Sequence, residues 1–114
     1  MWIQLNNAFL SIVENRENKA ELLVRARIKG DIEKIFPEEN VCEDKNADYK
    51  YRVFIPKDKV ADIILKKINE INYDNFKNSI PKEDHERYRS YSNVWVELRI
   101  NGVAEGINNQ VFYL

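Results

Sequence analysis

Basic side chains recur at alternate positions in two short segments, Leu22-Leu23-Val24-Arg25-Ala26-Arg27-Ile28-Lys29 and Tyr49-Lys50-Tyr51-Arg52-Val53-Phe54-Ile55. Successive side chains of a strand point to opposite faces. If the two segments join one sheet, Arg25, Arg27, Lys50 and Arg52 gather on one face, with Phe54 beside them. The chemistry this allows is anion binding. A guanidinium is a planar fork that grips phosphate or carboxylate oxygens in pairs, and Phe9 or Phe54 offers a ring on which a base can stack. The plainer account is cross-strand pairing with Glu14, Glu43 or Asp48 on a solvated face, where each pair contributes only ~0.2–1 kcal/mol. No glycine-rich RNA-binding signature accompanies the cations.

A second charged set, Glu38, Glu39, Glu43 and Asp44, follows a short helical stretch and suits a docking face for a basic partner. The plainer account is a solvated loop. His85 has no oriented partner in sequence for acid–base work. Cys42 sits on an expected edge strand, where a small half-buried apolar role fits better than a nucleophile without a base. Phosphate loops and dinucleotide fingerprints are absent, and one Cys with one His does not point to a zinc centre. The expectation is therefore no catalytic residue, no cofactor and no metal. Gly30 could let a helix N-terminus approach an anion, but the Asp31 carboxylate works against it.

These groups must be positioned by a chain of 114 residues, of which 44% are hydrophobic and 32% charged. That is enough for one ordinary domain and one core. The formal net charge of −1 argues against a generic polyanion or membrane binder. A single cysteine permits no internal disulfide. No signal-like start and no apolar run of the ~20 residues that span a bilayer is evident. A cytoplasmic protein without membrane attachment is expected.

Ala8–Glu14 and Leu22–Ile28 read as strands. Asp31 reads as the N-cap of a short helix through Phe36, with Pro37 ending it. Val41–Asp44 reads as an edge strand and Tyr49–Ile55 as a strand rich in β-branched and aromatic residues. Asp58–Ile71 carries one helical stripe of Val60, Ile63, Ile64, Ile68 and Ile71. These form two strand-strand-helix units. The fold class expected is α+β: one antiparallel sheet of about four strands, helices on one face, and a C-terminal helical segment. A ferredoxin-like order is compatible with this pattern. Tyr73–Ser79 reads as a helical turn. Tyr88, Tyr91, Trp95 and Leu98 form an aromatic stripe on a helix from Lys82 to Leu98, read as core. Asn101-Gly102 is a turn signal, and Val111–Leu114 reads as a last strand. The expected core comprises Leu10, Ile12, Leu22, Val24, Ile32, Phe36, Tyr51, Val53, Ile63, Ile64, Ile68, Tyr88 and Trp95.

In order along the chain, Phe9-Leu10-Ser11-Ile12-Val13, Leu22-Leu23-Val24-Arg25-Ala26-Arg27, Gly30-Asp31-Ile32-Glu33 with Phe36-Pro37, Asp48-Tyr49-Lys50-Tyr51-Arg52, Asn75-Phe76-Lys77 and Val94-Trp95 resemble a family of short uncharacterised bacterial and phage proteins. The resemblance covers residues 1 to 98. It implies a small cytosolic prokaryotic or phage accessory protein and carries over no catalytic residue. Small phage-borne proteins include inhibitors of host defence, of the anti-CRISPR kind. Three functions follow as expectations. The first is a non-enzymatic interaction protein that binds a host protein or ribonucleoprotein. The second is a nucleotide or nucleic-acid binder using the basic face. The third is a small hydrolase or nuclease. An exposed terminal strand also leaves a homodimer open.

Overall fold

The computed structural model describes the backbone of residues 1–110 and the side chains of residues 1–103. The chain divides into two compact units, Met1–Asp74 and Asn75–Leu114.

The first unit is an antiparallel five-stranded sheet in the order β1-β2-β3-β5-β4, with two helices. The strands are β1 (Trp2–Leu5), β2 (Ala8–Glu14), β3 (Glu21–Ala26), β4 (Cys42–Glu43) and β5 (Tyr51–Pro56), and the helices are α1 (Asp31–Ile35) and α2 (Lys57–Asn69). The expected α+β class, single antiparallel sheet and strand-strand-helix order are all present. The ferredoxin-like order is not. β5 lies between β3 and β4, antiparallel to both, so β3 and β4 run parallel and the α1 connection crosses between them, but no strand of the sheet follows α2 among the described residues.

One strand is additional. β1 pairs with β2 across a two-residue turn, Asn6-Asn7, with Leu5 opposite Ala8. Alternation in Trp2-Ile3-Gln4-Leu5 supports the strand: Ile3 and Leu5 turn toward the core, and Trp2 is exposed.

The core lies between one sheet face and the two helices. Alternate residues of the central strands, Ala8, Leu10 and Ile12 on β2, Val24 and Ala26 on β3, and Ile55 on β5, meet Ile32, Ile35, Phe36 and Val60 from the helical side. Ile3, Leu5, Leu22, Tyr51, Val53, Ile63 and Ile64 flank this cluster, partly buried. Ile68 is exposed instead, because only the first half of α2's stripe reaches the sheet.

Asp31 does not cap α1. Gly30 holds the N-cap position at φ 94°, without a side-chain cap bond, and Asp31 is the first helical residue. Its carboxylate is fully buried and accepts a hydrogen bond from the Phe9 N–H at 2.9 Å. The register that pairs Ser11 with Arg25 would bring Arg27 opposite Phe9. The chain leaves the sheet at Ala26, so the Asp31 carboxylate supplies the acceptor that the ladder no longer offers.

The second unit contains α3 (Phe76–Ser79) and α4 (His85–Gln110). Asn75 caps α3, its side chain accepting from the Asn78 N–H at 3.1 Å. Tyr91 is buried and stacks on Phe76 with ring centroids 5.8 Å apart. Arg87 is also buried, paired with Asp84 at 2.8 Å. Of the expected aromatic core stripe, Tyr91 alone is buried; Tyr88, Trp95 and Leu98 are exposed. The Asn101-Gly102 pair makes no turn, since α4 runs through it: Gly lowers helix propensity without forbidding a helix. The expected strand Val111–Leu114 lies outside the described residues.

Candidate functional site

The sheet face that α1 and α2 leave uncovered carries the alternating cations. Directly opposed residues share a face, so the register links Ser11 to Arg25, Arg25 to Arg52 and Arg52 to Cys42, and, one pair along, Val13 to Leu23 and Leu23 to Phe54. Trp2 joins them from β1, opposite Ser11, and Phe9 from β2. The face is therefore a mixture of arginine with aromatic and aliphatic side chains. Trp2 is 71% exposed and Phe54 52%; Phe9, Val13 and Leu23 are half-buried. Trp2 and Phe9 meet edge to face at 6.1 Å.

The four expected cations are not equivalent. Arg25 and Arg52 lie within strands and face each other across the β3–β5 pair, an arrangement that like charges disfavour. Arg25 is held by other means. Its Nη2 donates to Ser11 Oγ at 2.8 Å, and its guanidinium lies 4.6 Å from the centre of the Tyr49 ring. Its Nε is buried without a hydrogen-bond partner. Arg27 sits just beyond β3. It lies 4.2 Å from the same ring centre and grips Asp48 with two hydrogen bonds, 2.8 and 3.3 Å. That bond raises the Arg27 pKa and holds the Asp48 carboxyl below its usual value. Lys50 precedes β5 and is exposed. Among the described residues, no hydrogen bond, ion pair or ring contact engages the side chains of Arg52 or Lys50.

Two sequence expectations change here. β5 begins at Tyr51 rather than Tyr49, and β3 ends at Ala26. Both ends give way where the chain bends to place the buried Tyr49 ring against two guanidiniums, a pair of cation–π contacts. Cys42 is exposed rather than half-buried, because β4 is a two-residue edge strand with neither residue covered.

Arg52 borders a hollow of 410 Å³ lined by Leu23, Asn40, Cys42, Arg52, Val53 and Phe54. It combines an unpaired cation with an exposed ring. Alternation made Arg52 and Phe54 visible from sequence. Leu23 follows from the same alternation, whereas Trp2, Val13 and Cys42 emerge only with the register. The alternating Trp-Ile-Gln-Leu run ahead of Asn6-Asn7 was the signal that could have added Trp2.

The acidic set does not form one face. Glu38 and Glu39 both contact Lys59 of α2, at 3.4 and 2.9 Å. Glu43 lies on β4 opposite Tyr51, and the Asp44 carboxylate accepts from the Asn46 N–H at 3.0 Å to shape a turn. Two of the four are spent holding the loop after α1 against α2. No cluster of three or more His, Cys, Asp or Glu side chains that could hold a metal occurs among the described residues. No helix among them is long and apolar enough to cross a membrane. Comparison with family models, with curated proteins and with solved structures finds no match to this chain.

Proposed function

We propose that this chain is a non-enzymatic interaction protein that binds a protein partner through the uncovered face of its sheet. One observation carries the reading: exposed Phe54 and an unpaired Arg52 line a 410 Å³ hollow on that face, which exposed Trp2 of the edge strand β1 shares. Exposed aromatic rings and an arginine on a face with a recess are the composition of protein-binding hot spots. The partner chemistry that fits is an apolar side chain entering the hollow with a carboxylate near enough to meet Arg52. The further assignment, to a host-defence protein or ribonucleoprotein of a prokaryotic cytoplasm, rests on the family resemblance of the ordered motifs alone.

Nucleic-acid binding by the same face is the weaker reading. Arg27 is neutralised by Asp48, and Arg25 is occupied by Ser11 and Tyr49. That leaves Arg52 and Lys50 on a chain of net charge −1. Two phosphate contacts would give a salt dependence with a slope of only about −2.

The test is affinity capture from a bacterial lysate with wild-type protein, Phe54→Glu and Arg52→Glu in parallel. A stoichiometric protein captured by wild type and lost with either variant supports the proposal. Capture unchanged by both variants, or no stoichiometric partner, overturns it. Binding to single-stranded RNA that disappears with moderate salt and with Arg52→Glu would favour the nucleic-acid reading.

A further inference from the structure

Helix α4 carries more apolar surface than its own unit covers. At ~1.5 Å per residue its 26 residues extend about 39 Å. Tyr91 turns one side of it toward Phe76, and Trp95 on that side lies between Lys77, 4.1 Å from the ring centre, and Arg99, at 5.7 Å. A second line of side chains, Asn93, Val96, Ile100 and Val103, follows the 3-4-3 spacing of a coiled-coil seam on a different side. All four are exposed. A helix with apolar stripes on two sides is stabilised by packing on both, and here the second stripe is left exposed among the described residues.

We propose that this seam pairs with the seam of a second copy of the chain, as a parallel two-stranded coiled coil. Three features point to a twin rather than an unrelated partner. Between residues 93 and 103 the seam holds no charge, so identical helices meet without like-charge repulsion. Asn93 is self-complementary, because one amide donates and its twin accepts. It also occupies an a position, where a polar residue fixes register and restricts the assembly to two strands. Val96 and Val103, β-branched at d, pull toward more strands; Asn93 decides between them. At its N-terminal end the seam stops at Arg89, the preceding d position, which is exposed and paired with Glu86. The seam shares no residue with the sheet face proposed to bind a partner, so either proposal can fail alone.

Sedimentation equilibrium of the full chain tests this. Wild type is expected to dimerise with a dissociation constant in the range of about 1–50 μM, and Ile100→Glu to weaken it at least ~10-fold. Ile100 is exposed, so the variant keeps its fold, and an unchanged far-ultraviolet spectrum of the sheet unit at high dilution verifies that. Asn93→Val is expected to raise the order to three or more strands. A wild-type chain that stays monomeric to about 200 μM overturns the proposal. So does a dimer indifferent to Ile100→Glu, and so does an Asn93→Val protein that remains a dimer.

Discussion

Asp31 joins two elements with one buried carboxylate: it opens α1 and accepts the Phe9 N–H where β3 has left the sheet. Replacing it with alanine leaves a buried amide unpaired, a cost of about 1–3 kcal/mol. Asp31→Ala should therefore lower the unfolding free energy measured in urea by that much, and the Phe9 amide should lose protection in hydrogen exchange. Asp48 is a contrasting carboxylate, exposed and held by Arg27. Its pKa lies below the usual value chiefly through that hydrogen bond. A depressed carboxylate stabilises the folded state above its unfolded pKa, and the contribution disappears as pH falls through the folded value. An NMR titration should place the Asp48 inflection below that of an unpaired aspartate, and Arg27→Gln should move it back up. Equal inflections in both proteins would show that the pair does not form in solution.

At the scale of the element, Gly30 lets α1 begin where it does. Its φ of 94° lies in the left-handed region, and a Cβ placed there would meet no atom within 4 Å. The cost of Gly30→Ala is then purely conformational, about 1–2 kcal/mol, and thermal unfolding should register it without any change in near-ultraviolet signal. This region also shows where sequence reading stopped. Alternation and helical spacing made β2, β3, β5 and α2 legible, because each buries one face and leaves the other in water. The Asp31 cap was misplaced because a cap and a strand acceptor ask for the same residue type, and only register separates them. The α4 stripe misled for a related reason: Tyr88, Tyr91 and Trp95 have core-like spacing, but α3 is four residues long and a single turn covers little more than Tyr91. The cations were legible as a set. Their division into paired Arg27, stacked Arg25 and free Arg52 depends on Tyr49 leaving the strand, which no periodicity encodes.

At the scale of the whole molecule, the two compact units meet in sequence at Asp74–Asn75, in a stretch without helix or strand from residue 70 to 75. Limited digestion with an acid-specific protease should cut first at Glu70 or Asp74, since exposed irregular backbone is the preferred site of nicking. First cleavage at Glu21 or Glu43, inside the sheet, would contradict that division. If α4 pairs two chains, each assembly presents two sheet faces. A partner with repeated sites would then be held by avidity, up to ~10²–10⁴ beyond a single contact where the geometry lets both faces engage. Ile100→Glu should lower such apparent affinity while leaving binding to an isolated monovalent partner intact.

The two tryptophans of the chain fall one to each unit: Trp2 beside Phe9 on the sheet, and Trp95 between Lys77 and Arg99 on α4. Both rings are about half exposed or more. The protein thus carries its own pair of optical reporters. Partner docking on the sheet should quench or shield Trp2, whereas pairing through the seam, on a different side of α4 from Trp95, should leave Trp95 little changed, so one emission spectrum with Trp2→Phe and Trp95→Phe controls separates docking from self-association.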